Sequence, residues 1–237
     1  MFSPTDLSLL RSCALLRELP DPGCFEEALR DVANHLLVPA DTVVIPAGTV
    51  HPGLHLVAHG TIEMVVLPED GGERIVDFAR TGGVFAEESL FEPLPVRYTA
   101  RTLTSAAILR LPETVVSDWM SKSPEFCRRL IGMLAERTDY LQKDMVTFCT
   151  KGATARLVCY LVCQFNHAPK TPDGSLSLNI TVPRNKLASR LGISDSHLSR
   201  AFKELETQGL VVKQRNGIFI PDVQALSRYV CPAGCDW

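Results

Sequence analysis

The sequence lacks any apolar run long enough to cross a membrane. A transmembrane helix needs about 20 consecutive apolar residues, and charged or turn-forming residues interrupt every apolar stretch of the 237 residues before that length. The amino-terminal segment is acidic and interrupted, which is not the pattern of a secretory signal. These absences predict a cytoplasmic protein with no membrane partner. Its eight cysteines are then expected to be mostly reduced.

The sequence also lacks the motifs of common enzyme active sites. It has no glycine-rich loop that would cradle a phosphate, and no combination of nucleophile, base and orienting group. The paired glycines Gly71-Gly72 and Gly82-Gly83 separate short β-rich runs, so we interpret them as strand turns. We therefore expect the protein not to be an enzyme.

A strong net charge is missing too, but the charge is unevenly distributed. The formal net charge is only −3. Residues 1–150 contain thirteen Lys and Arg against twenty-one Asp and Glu, whereas residues 151–237 contain eleven against six. A basic carboxyl-terminal module attached to an acidic one fits nucleic-acid binding by one domain only.

Residues 37–111 have the pattern of an antiparallel β structure. Six short runs rich in β-branched residues are separated by turn residues, and many short strands at close spacing are typical of a barrel or jelly roll. The predicted strands are Thr42–Ile45, Leu54–Ala58, Ile62–Leu67, Ile75–Ala79, Tyr98–Leu103 and Ala107–Leu111. An amphipathic helix is predicted over Phe25–Leu36. Residues 1–122 therefore predict a β-roll domain with N-terminal helices.

Residues 123–151 predict one long helix with an apolar seam. Its apolar positions alternate four and three residues apart, as in a coiled coil, and its flanks are charged. The simplest reading is a homodimer in which this helix pairs with its own copy, and the alternative is a helix packed only on its own roll. The seam residues are Cys127, Ile131, Leu134, Thr138, Leu141, Met145 and Phe148.

The stretch from Lys186 to Val211 predicts a helix-turn-helix. Gly192 supplies the positive φ that ends the first helix, and Ser194 is a suitable N-cap for the second. The second helix has apolar residues at helical spacing on one face and polar residues on the other. Two short β runs around Asn216-Gly217 then predict the hairpin of a winged helix. Residues 152–237 are thus a predicted DNA-binding domain in an α+β chain.

The order of these parts resembles the Crp/Fnr family of bacterial transcription regulators. The most specific segments are Gly83-Val-Phe-Ala-Glu-Glu-Ser-Leu-Phe91, Lys151-Gly-Ala-Thr-Ala-Arg-Leu157 and the helix-turn-helix. They are similar to the nitric-oxide- and redox-responsive, denitrification-related branch more than to the cyclic-AMP receptor. The resemblance implies a cyclic-nucleotide-binding-like jelly roll that senses a signal, a long dimerisation helix, and a winged helix that binds palindromic double-stranded DNA. Activation of transcription would also need a contact with RNA polymerase.

The resemblance also implies which residues meet DNA. The family's recognition helix often carries Glu-x-x-Ser-Arg, and Ser196 replaces the glutamate here. We expect Arg200 to make a bidentate guanine contact. The predicted base contacts are Ser196, His197, Ser199 and Arg200, and the predicted phosphate contacts are Arg184, Lys186, Lys203, Lys213 and Arg215.

The family's effector pocket is matched only in part. The residues at the corresponding positions are Glu87, Glu88, Arg97, Tyr98, Leu141 and Gln142. Glu87 replaces a glycine beside the phosphate, Tyr98 replaces a small hydroxyl, and Leu141-Gln142 replace the pair that reads adenine. These departures argue against cyclic AMP. The competing interpretation makes Glu88 and Arg97 an internal ion pair retained with the fold.

Three other signals remain open at this point. An iron–sulfur cluster needs four ligands, and only Cys13 and Cys24 lie near the start, which argues against it. Haem bound by His55 or His51 is a hypothesis, because an imidazole is a suitable axial ligand. Cys231 and Cys235 would serve as a redox or metal-binding pair, or form an exposed tail without a role. The alternatives for the whole chain are a cyclic-nucleotide-binding module acting on a protein partner and an effector-independent DNA-binding regulator.

Overall fold

The computed structural model describes residues 35–69, 71–166, 174–179, 182–214 and 217–230, together with Ser8, Cys13, Leu15 and Leu16. The chain forms two compact units, residues 1–137 and 138–237. The boundary falls inside the long helix. The predicted three-part division at residues 122 and 151 is not tested by this split and stays a prediction.

In the part of the first unit that the structure describes, eight strands form a roll of two antiparallel sheets. The strand orders are β1-β8-β3-β6 in one sheet and β2-β7-β4-β5 in the other. The bounds are β1 His35–Val38, β2 Val43–Ile45, β3 Leu54–His59, β4 Thr61–Val66, β5 Arg74–Arg80, β6 Val84–Phe85, β7 Thr99–Thr102 and β8 Ala106–Leu111. A single 3-10 turn, Glu87–Ser89, follows β6.

Alternation along the strands divides the apolar residues of the roll between two cores. One core includes Val57, Ile108 and Phe85 from the first sheet with Ile62 and Met64 from the second. In the other core, strand residues are covered by helices α1 (Glu113–Lys122) and α2 (Pro124–Thr150). The β1-β8-β3-β6 sheet is therefore packed on both faces. We call the core between this sheet and the two helices the outer core, and the start of α2 is buried in it.

All six predicted strands are confirmed, with shifts of one residue or so at their ends. The helix predicted over Phe25–Leu36 is wrong at its end, because Leu36 lies in β1, where it pairs with Ile108 of β8. The rest of that helix, residues 25–34, lies outside the described residues. Strands β1 and β6 were not predicted.

Helix α2 carries two apolar stripes rather than one. Phe126 and Leu130 are buried in the outer core of the roll, and Met133 packs against the same cluster. A second stripe lies about a quarter turn away around the helix axis, at 100° per residue. It consists of Ile131, Leu141 and Met145, which are 60%, 49% and 62% exposed. The helix thus packs on its own roll and still presents apolar side chains to the outside.

The second unit contains the predicted helix-turn-helix and wing. Its elements are α3 Ala153–Asn166, β9 Leu176–Asn179, α4 Arg184–Arg190, α5 Asp195–Thr207, β10 Val212–Gln214, β11 Gly217–Ile220 and α6 Val223–Val230. The wing is a three-stranded sheet in the order β10-β11-β9, whereas the sequence predicted only the hairpin. Strand β9 and helix α6 were not predicted. No helix among the described residues is long and apolar enough to span a membrane.

Candidate DNA-binding face and signal site

The turn between α4 and α5 is fixed by one glycine and one serine. Gly192 has φ +63°, a backbone conformation that a side chain rarely adopts. An added Cβ would lie 3.0 Å from a ring carbon of Phe148 and 3.3 Å from a guanidinium nitrogen of Arg156. The Ser194 hydroxyl accepts a hydrogen bond from the His197 amide at 3.3 Å, which confirms the predicted N-cap. Both predicted turn residues therefore have the expected roles.

Helix α5 separates a buried face from an exposed one. Leu198 and Leu205 are fully buried and Ala201 nearly so. The opposite face exposes Ser196, His197, Ser199, Arg200 and Lys203. An α-helix with its side chains is about 10–12 Å across, which fits the roughly 12 Å width of the major groove. The predicted base-contact residues thus share one exposed face, while their base contacts stay predictions.

The predicted phosphate-contact residues do not all project freely. Arg184 donates a hydrogen bond to the Ser199 hydroxyl at 2.9 Å, and its guanidinium lies 5.7 Å from the Phe202 ring centroid. Arg184 is therefore held against α5 and fixes the orientation of Ser199. Lys203 and Lys213 are exposed, and Lys186 is half-buried. Arg215 lies outside the described residues.

Two guanidinium groups, those of the buried Arg190 and the half-buried Arg156, fix the end of α2 against the helix-turn-helix. Arg156 and Arg190 lie 4.9 Å and 5.7 Å from the Phe148 ring centroid. Arg190, only 2% exposed, also donates to the Asp144 carboxylate at 2.9 Å and to the Tyr140 hydroxyl at 2.8 Å. Phe148, predicted as the last seam residue, contacts both arginines within its own unit, and its place in the seam stays a prediction. Sequence periodicity could not show this, because both arginines come from other helices.

The predicted effector segment forms an ion-pair network with α2. Arg137 donates to the Glu87 carboxylate at 2.8 Å and to the Asp77 carboxylate at 2.5 Å. Both carboxylates are mostly buried, with side chains 11% exposed. The Ala86 amide donates to the Tyr98 hydroxyl at 2.9 Å. Glu87 and Tyr98 are thus brought together as predicted, but around Arg137, which sequence reasoning did not identify.

The expected Glu88–Arg97 ion pair is wrong. Arg97 is exposed and makes no ion pair with any described residue, and Glu87 is the glutamate that pairs with a guanidinium. Glu88 is half-buried, and burial, reinforced by the Glu87 carboxylate, raises its pKa. Burial, followed by Glu88 and Glu87, also raises the pKa of Tyr98. Leu141 and Gln142 are exposed on α2, so their assignment to the pocket stays a prediction.

The histidines proposed as haem ligands lie on the β1-β8-β3-β6 sheet. His55 is 2% exposed, and its Nδ1 is buried without a hydrogen-bond partner among the described residues. Its ring packs against the fully buried Phe85 at 5.2 Å between centroids, and the half-buried His51 lies 6.1 Å away. Burial, then the charge of Arg110, lowers the pKa of His55 to about 3. The imidazole is neutral but closely packed, so the described residues do not fit a haem macrocycle at this position.

The cysteines that the structure describes are free thiols. Among the described residues, no group of three or more His, Cys, Asp or Glu is placed to hold a metal ion. Cys13 is buried beside the roll, and its thiol lies 3.5 Å from the Gly82 carbonyl oxygen. Cys24, Cys231 and Cys235 lie outside the described residues, so their proposed metal or redox roles stay predictions.

Comparison with known proteins gives the same two-part organisation. Residues 36–123 match the family model of the cyclic nucleotide-binding domain, and residues 155–229 match the Crp-like helix-turn-helix domain. A CRP-like cAMP-activated global transcriptional regulator of Mycobacterium tuberculosis is 21% identical over 80% of this chain and 85% of its own. The cAMP-activated global transcriptional regulator Vfr of Pseudomonas aeruginosa is 26% identical over 73% and 82%.

Solved structures share the fold at low identity. FixK2 from Bradyrhizobium japonicum superposes with a TM-score of 0.69 and 21% identity, over 86% of this chain and all of that one. A CooA mutant from Carboxydothermus hydrogenoformans gives a TM-score of 0.67 and 16% identity, over 83% and 87%. At this identity the likeness establishes the fold alone.

Proposed function

Because the chain belongs to the Crp/Fnr family of transcription regulators, which are DNA-binding proteins and not enzymes, we propose that it acts as a homodimer on an inverted repeat. Two copies of α5, related by a two-fold axis, would enter successive major grooves one helical turn apart. The observation that carries the proposal is the exposed polar face of α5, which is backed by the buried Leu198, Ala201 and Leu205.

Dimerisation is supported by the second stripe of α2. Ile131, Leu141 and Met145 are exposed in the isolated chain although they follow the spacing of a helix seam. Their own roll is already served by Phe126 and Leu130. Burying large apolar side chains contributes about 1.5–3 kcal/mol each, which favours a second copy of the same helix across this stripe.

We place the signal at the 3-10 turn that follows β6. Glu87 on this turn is tied to Arg137 on α2, so a molecule that displaces Glu87 would act directly on the dimerisation helix. The Arg137 guanidinium pairs with the carboxylates of Asp77 and Glu87, and the carboxyl group of Glu88 interacts with it electrostatically. This excess of negative charge disfavours an anionic cyclic nucleotide, even though relatives are named as cAMP-activated. The signal we propose is a small molecule that is neutral or cationic.

A binding experiment tests the DNA-binding part of the proposal. Duplexes selected from a random pool by the full chain provide a specific site, and a scrambled duplex of equal length provides the non-specific reference. Arg200→Ala should weaken specific binding by about 1–3 kcal/mol, or roughly 5- to 150-fold, because a bidentate guanine contact is lost. Binding to scrambled DNA should change by no more than about threefold.

Lys203→Ala provides the matched control on the same helix face. A phosphate contact carries no sequence information, so this variant should weaken binding to both duplexes by similar factors and reduce the salt dependence. Equal losses on both duplexes for Arg200→Ala would contradict its role, and the absence of any selected duplex would contradict the proposed function.

A further inference from the structure

Three polar side chains at the start of α5 form a hydrogen-bonded chain. The Ser194 hydroxyl lies 2.9 Å from the Ser196 hydroxyl and 3.0 Å from Nδ1 of His197. It also accepts a hydrogen bond from the His197 amide. All three side chains are exposed, and Ser196 and His197 lie on the face that we assign to DNA. We call this group the cap chain.

Counting protons leaves two arrangements of the cap chain. The Ser194 hydroxyl has one proton and two lone pairs, and the His197 amide occupies one lone pair. In the first arrangement, Ser196 donates to Ser194, and Ser194 donates to Nδ1 of His197. In the second, Nδ1–H donates to Ser194, which donates to Ser196. Both satisfy the Ser194 hydroxyl, but the two arrangements present opposite groups to the outside.

The helix decides between them. The free amides of the first turn carry partial positive charge, which favours lone pairs over N–H groups nearby. Nδ1 of His197 lies within hydrogen-bonding distance of the N-cap hydroxyl, at this positive end. An unprotonated Nδ1 is therefore favoured, and the proton of the neutral imidazole resides on Nε2. The cap chain then runs from Ser196 through Ser194 to His197.

We propose that the cap chain sets base preference, an inference that rests on the proposed DNA-binding function. With its proton given to Ser194, the Ser196 hydroxyl presents an acceptor to the groove. His197 presents a donor, Nε2–H. Ser196 thus accepts a hydrogen bond from a base and His197 donates one. The two roles are coupled, because both follow from the direction in which the hydroxyl protons of the cap chain point.

The base edges that fit follow from the major-groove pattern. Guanine O6 and N7, adenine N7 and thymine O4 are acceptors, whereas cytosine presents only its N4 amino donor. The base facing His197 is therefore not cytosine. The base facing Ser196 is cytosine or adenine, which offer an amino group. Ser196 thereby keeps the acceptor character of the glutamate that it replaces in the family pattern, although it has a shorter reach.

The tautomer is measured first, on the free protein. Two-dimensional ¹⁵N–¹H NMR of the full chain, with ¹⁵N-labelled histidine and His197→Gln to assign the signal, distinguishes a protonated Nε2 from a protonated Nδ1. We expect the Nε2–H tautomer for His197 at pH 7.5. An Nδ1–H tautomer would overturn the proposal whatever the DNA results are.

Selection from random duplexes then compares four proteins. The wild type should exclude cytosine at the base assigned to His197. His197→Lys presents only N–H donors and should keep this exclusion, whereas His197→Asp presents only acceptors and should switch the preference to cytosine or adenine. Ser194→Gly removes the centre of the cap chain while leaving a residue that is itself accepted at an N-cap, and should broaden the preference at both positions.

The preference for guanine opposite Arg200 is the internal control. It should persist in every variant, because Arg200 lies outside the cap chain. Unchanged preferences in His197→Asp and Ser194→Gly, with the guanine retained, would overturn the inference while leaving the proposed function intact. Loss of selection by the wild type would instead contradict the proposed function itself.

Discussion

Acidification should destabilise the β-roll through the buried side chain of His55. Its folded pKa is lowered to about 3, first by burial and then by Arg110, whereas an unfolded histidine titrates near 6.5. The unfolded state therefore binds the proton more tightly. The contribution to stability is complete above pH 6.5, and it is lost progressively as the pH falls from 6.5 towards 3. At pH 5 the loss is on the order of 2 kcal/mol, from about 1.5 pH units at 1.36 kcal/mol each.

The measurement compares urea unfolding at pH 7.5 and pH 5.0, followed by the fluorescence of Trp119. This side chain is 2% exposed in the outer core of the roll, and a Trp237→Phe background removes the second tryptophan. His55→Leu fills a similar volume without a titratable group. We compare the unfolding free energy of His55→Leu minus that of the parent at the two pH values. This difference should be about 2 kcal/mol larger at pH 5.0 than at pH 7.5.

The matched control is His59→Gln, at the exposed end of the same strand. It reports the effect of replacing a surface histidine on this strand, and the change in His55→Leu is judged relative to it. Carboxyl groups that titrate below pH 5 are common to all these proteins and cancel in the comparison. An identical pH dependence in His55→Leu and the parent would refute the reasoning, because it would mean that the buried imidazole becomes protonated without cost.

Two further predictions concern α2. Ile131→Arg should raise the dimer dissociation constant at least tenfold, about 1.4 kcal/mol, as measured by light scattering of the protein eluted from a sizing column. Glu136→Arg, on the opposite face of the helix, should leave the dissociation constant within about threefold. Equal dissociation constants for the two variants would contradict the seam. Arg137→Met should lower the unfolding free energy of the roll by about 2 kcal/mol, less than for a fully buried pair, because Asp77 and Glu87 lose their common partner. A double-mutant cycle with Glu87→Gln should give a coupling of at least about 0.5 kcal/mol, and strict additivity would contradict the network.

Local patterns predicted most of the fold. Strands such as Ile62–Leu67 and Ile75–Ala79 are rich in β-branched residues and are each preceded by glycine, so composition and turn chemistry agree. Strand β1 was missed because Leu36 also continues the helical spacing of Phe25, Leu29 and Val32, and pairing with the distant β8 decides its conformation. Strand β9 had a usable signal, since Leu176 and Leu178 alternate with polar residues.

The candidate site was predictable only where it is local. The Ser194 cap and the outer face of α5 depend on residues within four positions of one another. The Glu87–Arg137 pair joins residues fifty positions apart, and the contacts of Phe148 come from α3 and α4. Spacing along one helix gives the face on which a residue lies, but it does not determine which neighbour covers that face. Phe148 therefore fitted the seam pattern although its neighbours in space are two arginines.

Gly192 restricts which substitutions the turn between α4 and α5 can accept. Replacing a glycine with alanine is a common way to stabilise a chain, because the unfolded state loses freedom. At this position the backbone favours no side chain, and a methyl group would press on the Phe148 ring. A smaller residue at position 148 would relieve the contact with the ring but not the strain at φ +63°, so we expect glycine to be retained at position 192 among functional variants. The shape of the recognition turn is thus set jointly by the Gly192 backbone and by a ring forty-four residues earlier, at the end of the long helix.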